Sequence, residues 1–252
     1  MKLLVDAGNS RLKWALWDGQ RLSSPGRCPA RSDPAGAVRA LVSAAPEQLD
    51  GVLVANVAGP WMADALRRGL ARACARPPVF VASTATALGV RCAYANPARL
   101  GVDRWVAVIA AFHHVAGAAL VVDAGTAVTI DAVAADGRHL GGLILAGREL
   151  MARALYRDTS DIGRAHLQAL PGEAEAAFGR STDEAVSFGA AWALVGAVER
   201  ARSAAAGALG ERPPLLVTGG GAPELLPYLD GAVEHRPQLL LEGLARFAGE
   251  HA

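Results

Sequence analysis

Apolar residues along this chain follow two rhythms. Short β-favouring runs end at glycine turns, and between them lie longer stretches with apolar residues three or four positions apart. The first run, Leu3-Leu4-Val5, ends in Asp6-Ala7-Gly8-Asn9, after which Leu12, Trp14 and Leu16 alternate along one face. The device returns near the middle as Leu120-Val121-Val122, then Asp123-Ala124-Gly125-Thr126, then Val128-Thr129-Ile130. Each copy reads as a strand, a tight turn and a returning strand, with a carboxylate where the buried strand emerges. Gly125 supplies a positive φ or lets a ligand approach the backbone, and Thr126 offers a hydroxyl and an N–H at the tip. One Asp-x-Gly turn is ordinary hairpin chemistry. Two in the same setting predict a duplicated domain.

The remaining elements fill out that plan. Strands are predicted at residues 2–7 and 11–17, with Asp18-Gly19 turning the chain and a Pro-, Gly- and Ser-rich loop over 27–37. A helix over 34–44, a strand over 51–56, a helix over 61–73 and a strand over 79–82 make an α/β layer. A weakly periodic stretch leads to Gly101-Val102-Asp103-Arg104 and a helix over 103–115. In the second half, Asp136-Gly137 turns the chain into a glycine-bounded strand over 140–146, followed by a helix over 148–157. A loop over 159–180 contains Pro171-Gly172, and Ser181-x-x-Glu184 reads as a capping box opening a long helix over 183–206. A strand over 215–218 runs into Gly219-Gly220-Gly221, and a helix over 238–249 closes the chain. The division falls near Gly117, giving halves 1–117 and 118–252 that pack with a cleft between them.

Composition narrows the classes. With 252 residues, 52% of them hydrophobic and 5% aromatic, the chain has enough apolar surface for a substantial core. The net charge of +1, with both signs interspersed, argues against a nucleic-acid or membrane partner. Cys28, Cys74 and Cys92 are scattered without metal-ligand spacing and read as reduced thiols of a cytoplasmic protein. Asp6 and Asn9 interrupt the N-terminus before any signal-like apolar run develops. Lys2 and Lys13 are the only lysines, every other strongly basic side chain being arginine.

Two glycine turns with rim carboxylates can enclose a polyphosphate, through backbone N–H groups and through cations held by the carboxylates. Asn9 and Ser10 add neutral donors, and Lys13 shares a strand face with Arg11 beside the first turn. A lysine there supplies a compact point charge or is a solvated strand residue. Neither a P-loop nor a Gly-x-Gly-x-x-Gly fingerprint occurs, nor does a His- or Cys-based metal motif. The tri-glycine lets a flat ligand such as adenosine lie against the backbone, or is a plain loop. Asp103 is a helix N-cap or a base that takes a hydroxyl proton, while Arg104 can hold an anionic or amide-bearing substrate. Tyr94 is a loop aromatic or part of that site, Thr182 can belong to the capping box alone, and His113 and His114 read as core or surface.

Taken in order, Asp6-x-Gly-Asn9 with Lys13, Gly101-x-Asp103-Arg104, Asp123-x-Gly-Thr126-Ala127, Gly141-Gly142 and Thr218-Gly219-Gly220 resemble the type III pantothenate kinases. The resemblance covers nearly the whole chain. It implies an α/β fold of duplicated ribonuclease-H-like halves, as in actin-like ATPases and sugar kinases, and ATP-dependent phosphorylation of pantothenate on the way to coenzyme A. It implies Mg²⁺ and a monovalent cation, K⁺ or NH₄⁺, and a homodimer. Carried over residue by residue, Asp6, Ala7, Gly8, Asn9, Ser10, Arg11, Leu12 and Lys13 would hold the ATP phosphates, with Thr126, Gly219 and Gly220 also on the nucleotide. Asp123 would bind the monovalent cation. Asp103 would accept the pantothenate hydroxyl proton, with Tyr94, Gly101, Val102, Arg104 and Thr182 lining that substrate. Ser10 replaces a threonine of the family pattern, and Ala146 replaces a proline before Gly147. Rival readings are another small-molecule kinase of the superfamily and a nucleotide-binding regulator without turnover. The long helix would supply the dimer contact through Ala185, Phe188, Gly189, Trp192, Val195, Gly196 and Glu199.

Overall fold

The computed structural model describes residues 1–74, 76–160, 162, 166–170 and 178–250. The expected Pro171-Gly172 turn lies outside these. The chain divides into two compact units, Met1–His114 with Gln238–Ala252, and Val115–Pro237. Sequence patterning divides the chain near Gly117 and counts the closing helix with the second half; here that helix lies in the first unit.

In the first unit the chain runs through β1 (Lys2–Ala7), β2 (Arg11–Trp17), β3 (Leu22–Pro29), α1 (Pro34–Ala44), β4 (Gly51–Asn56), α2 (Pro60–Leu70) and β5 (Val79–Phe80). A small hairpin of β6 (Thr86–Ala87) and β7 (Val90–Arg91) precedes α3 (Val102–Val115). The second unit holds β8 (Ala119–Ala124), β9 (Ala127–Val133), β10 (His139–Ala146), α4 (Arg148–Asp158), α5 (Thr182–Leu209), β11 (Leu215–Thr218), α6 (Ala222–Leu225) and β12 (Val233–His235). The closing helix, α7 (Leu239–Glu250), returns to the first unit.

Each unit has a five-stranded sheet, ordered β3-β2-β1-β4-β5 in the first and β10-β9-β8-β11-β12 in the second. The pairing repeats as well: β1 and β8 run antiparallel to the strand that follows, and parallel to β4 and β11 respectively. These are two ribonuclease-H-like halves, so the duplication implied by the turns is real at the level of topology.

Alternation along the strands sets the faces. Leu3, Val5 and Ala7 join Leu12, Trp14 and Leu16 in one core with Val38 and Leu41 of α1 and Met62, Leu66 and Leu70 of α2. Each large aliphatic side chain fully buried there contributes roughly 1.5–3 kcal/mol. Where α7 passes α3, a Cβ on Gly243 would sit 2.4 Å from the Val106 carbonyl oxygen, so only glycine allows that approach. In the second unit Leu120, Val122, Ala124, Val128 and Ile130 pack with Leu194 and Val198 of α5.

One expectation changes. Residues 22–26, assigned to no element, and 27–29, read as loop, form the edge strand β3, where Pro25 falls at a register shift and costs no ladder bond. The stripe expected along α5 lies mostly on the exposed or half-buried side of the helix. Phe188 is buried, whereas Gly189 and Gly196 are exposed and a Cβ on either would meet nothing within 4 Å. The buried face instead includes Val186, Ala190, Leu194 and Val198.

Candidate functional site

At the first turn, Gly8 N–H donates to the Arg11 carbonyl at 3.1 Å and closes the link from β1 to β2. Asp6 and Lys13 are register partners, so both project from the face opposite the apolar core. Their side chains form an ion pair with Lys13 Nζ 3.5 Å from Asp6 Oδ2. Ala7 and Leu12 point into the core and are fully buried. Any part they take in ligand binding is therefore through the backbone. Asn9 and Arg11 are exposed and Gly8 and Ser10 half-buried, leaving this tip open to solvent.

A second cluster of the same unit forms at the start of α3. Gly101 precedes the helix and its carbonyl accepts the first helical bond, from Trp105 N–H. Asp103 is thus inside the first turn, and Oδ1 accepts the Arg104 backbone N–H at 2.8 Å. It satisfies a donor as a cap does, without being the N-cap. A Cβ on Gly101 would stand 2.6 Å from Asp103 Oδ1, so glycine keeps the space this carboxylate occupies. The Arg104 guanidinium donates to the Tyr94 hydroxyl oxygen at 2.9 Å and lies 5.7 Å from the centre of that ring. The Arg104 side chain is buried, with the residue 5% exposed, and Val102 is buried beside it. Cys92 Sγ accepts the Tyr94 N–H, helping to place the ring; the sequence offered no sign of that contact. One helix start therefore gathers a half-buried carboxylate, a buried guanidinium and a phenol. That set can orient a hydroxyl, accept its proton and bind a polar or anionic substrate.

In the second unit three glycine loops converge at the end of β8. Gly147 N–H donates to the Thr126 carbonyl, and Gly221 N–H to the Ala124 carbonyl. A Cβ on Gly147 would come within 2.6 Å of the Gly125 and Thr126 oxygens. One on Gly219, whose φ is +91°, would come within 2.4 Å of Asp123 Oδ1 and 2.5 Å of the Ala124 oxygen. Sequence reasoning left the tri-glycine as a ligand platform or a plain loop; packing between loops requires glycine at 219 in both cases. Gly125 does not have positive φ, and a Cβ there would crowd the Ala127 carbonyl at 3.2 Å. Gly220 is exposed at the rim, Thr126 and Asp123 are half-buried, and Ala146 ends β10 opposite Ala127. Arg148 bridges Glu224 of α6 and the Gln168 carbonyl, tying the loop before α4 to the one after β11.

Thr182 opens α5 and is exposed. The capping box is half as expected: Ser181 Oγ accepts Glu184 N–H, while Glu184 Oε2 accepts from Arg180 rather than from Ser181. His113 Nε2 lies 2.8 Å from the Leu88 carbonyl oxygen and is spoken for structurally. Burial pushes the Cys28 thiol up, which keeps it protonated and unreactive. Among the described residues no cluster of three His, Cys, Asp or Glu side chains could hold a metal, and no helix is long and apolar enough to cross a membrane.

Comparison with known proteins places these features in a family. Residues 2–204 match the sequence model described as type III pantothenate kinase. A type III pantothenate kinase of Nitrosococcus oceani is 36% identical over 255 residues, covering 98% of this chain and 94% of that one. One of Alkalilimnicola ehrlichii is 39% identical over 249 residues, covering 98% of both. Among solved structures, one described as a candidate 2-dehydro-3-deoxygalactonokinase of Sinorhizobium meliloti matches with a TM-score of 0.61 at 15% identity. It covers 100% of this chain and 99% of that chain, a likeness of fold. With its ordered motifs, its repeated topology and these full-length relatives, the chain belongs to the type III pantothenate kinase family.

Proposed function

We infer that this protein phosphorylates pantothenate with ATP, giving 4′-phosphopantothenate in the first step towards coenzyme A. The observation that carries this reading is the start of α3, where Asp103, Arg104 and Tyr94 stand together in a full-length member of the family. Phosphoryl transfer asks the protein mainly to position two substrates and neutralise charge.

The roles divide between the units. In the first, the Gly8–Ser10 tip and the Lys13 ammonium bind phosphate oxygens, with Ala7 and Leu12 confined to backbone contacts. Asp103 orients the pantothenate hydroxyl and accepts its proton. Tyr94, Gly101, Val102 and Arg104 line the substrate, and Arg104 fits its carboxylate through a charge-assisted bond. In the second, Thr126, Gly219 and Gly220 contact the nucleotide. Mg²⁺ enters with the ATP phosphates, since this ion is ordinarily held by one or two carboxylates together with substrate oxygens. Asp6, at the rim of its turn and paired with Lys13, suits that arrangement. Asp123 holds the monovalent cation, K⁺ or NH₄⁺. The enzyme works in the cytoplasm as a homodimer, without nucleic-acid or membrane partners, and Thr182 completes the partner subunit's pantothenate site. The exposed side of α5, with Ala185, Gly189, Ala193 and Gly196, is its contact face.

An ATP-consumption assay with and without pantothenate tests the reading. ADP release that depends on pantothenate, with 4′-phosphopantothenate as product, is expected. Turnover on hexoses but not on pantothenate would move the protein to the sugar kinases, and no turnover on either would leave a nucleotide-binding regulator.

A further inference from the structure

The two sheets can be compared position by position because their registers match. Asp6 lies between Lys13 on β2 and Ala55 on β4. Asp123 occupies the same place in the second sheet, between Thr129 on β9 and Thr218 on β11. Val122, Val128 and Val217 point into the core, so Asp123, Thr129 and Thr218 share the opposite face. A carboxylate flanked by an ammonium in one half is thus flanked by two hydroxyls in the other.

Thr218 is the informative member of this row. It is 1% exposed, and its Oγ1 is buried with no hydrogen-bond partner among the described residues. Leaving such a hydroxyl unsatisfied is costly, and most buried hydroxyls find a partner. The Asp123 carboxylate on β8 leans towards the end of β11, since a Cβ on Gly219, the residue after Thr218, would come within 2.4 Å of Oδ1. A carboxylate oxygen and a hydroxyl oxygen on adjacent strands are hard oxygen donors with one negative charge between them. That suits a weakly charged hard cation better than a transition metal.

We propose that Thr218 is a ligand of the monovalent cation, contributing Oγ1 beside the Asp123 carboxylate. Thr129 flanks the carboxylate from the other strand. This rests on the reading of Asp123 as the cation ligand.

The test follows cation binding directly. The thermal midpoint of the full chain is titrated with KCl at constant ionic strength, with tetramethylammonium chloride as the balancing salt. KCl dependence of turnover is measured in parallel. Wild type and Thr218→Ser should both gain stability with KCl. Thr218→Val should need about tenfold more KCl for half of the effect in both measurements, the scale of one lost oxygen ligand. Without KCl its midpoint should be unchanged or higher, because a methyl replaces an unsatisfied hydroxyl. Asp123→Asn should lose the response. If Thr218→Val titrates like wild type while Asp123→Asn does not respond, the Thr218 assignment is wrong and the Asp123 reading stands. If Asp123→Asn also titrates like wild type, the cation site itself is wrong. Should Thr218→Val fail to fold, Thr218→Ala carries the same comparison.

Discussion

The turns after β1 and β8 are built alike and equipped differently. Each sets an aspartate at the end of a central strand, with one antiparallel and one parallel neighbour in register. In the first, Asp6 pairs with Lys13, and its parallel neighbour Ala55 is buried and apolar. In the second, both neighbours are threonines, and the tip is clasped by the loops at Gly147 and Gly221. The first tip exposes Asn9 and Arg11, and the second exposes Gly125 and Ala127. What sets the second apart is its neighbouring loops, where Gly147 and Gly219 stand too close to its backbone oxygens to carry a side chain. Duplication supplied the frame, and a few side chains divided the labour.

In the proposed reading the acceptor for the alcohol's proton is a third carboxylate, Asp103 at the start of α3. Breaking it should have the largest effect. Asp103→Asn keeps an oxygen for the Arg104 N–H, so the helix should persist by circular dichroism while kcat falls about a hundredfold or more. Near-normal turnover would reduce Asp103 to a helix-start residue.

Lys13→Gln tests the built-in cation of the first half. Losing one charge-assisted contact to phosphate should raise the KM for ATP about tenfold, with the KM for pantothenate little changed. An equal rise in both constants would argue that Lys13 only supports the fold.

A subtler perturbation is Gly101→Ala. The added Cβ claims the space of Asp103 Oδ1, so the carboxylate must turn aside. Turnover should drop about tenfold at most, on the premise that displacing a base costs less than removing it. The thermal midpoint should move little, since only the end of a short side chain has to shift. A large loss of stability with normal residual turnover would contradict this.

The smallest expected change sharpens the comparison most. Thr129→Lys places an ammonium where Lys13 stands in the first sheet. It should leave the fold intact and abolish the KCl-dependent rise in thermal midpoint, as the lysine takes the part of the free ion. A retained KCl response would mean that the two aspartates are not equivalent in what they attract.

Much of this was legible in the chain itself. Strand alternation, the paired Asp-x-Gly turns and the Pro34 and Gly51 boundaries follow from period and turn chemistry, which are local and act the same way in any protein. The same holds for the motif order that marks the family, and for Lys13 lying on the returning strand close to the first turn. Tertiary structure decided what depends on distant neighbours. Residues 22–29 become a strand because β2 offers an unpaired edge, and Gly26 fits there because a Cβ would overlap the Trp14 ring. The closing helix joins the first unit because its apolar face is complementary to β1 and α3, which its own sequence does not name. Gly101, Gly147 and Gly219 look like interchangeable flexible residues in sequence, yet each is fixed by a specific carboxylate or carbonyl oxygen within 2.6 Å of where a side chain would begin. Thr218 belongs to a motif that marks the family, yet nothing local in the sequence gives its hydroxyl a neighbour. Only the parallel pairing of β11 with β8, a contact between residues far apart in the chain, puts its buried hydroxyl beside Asp123.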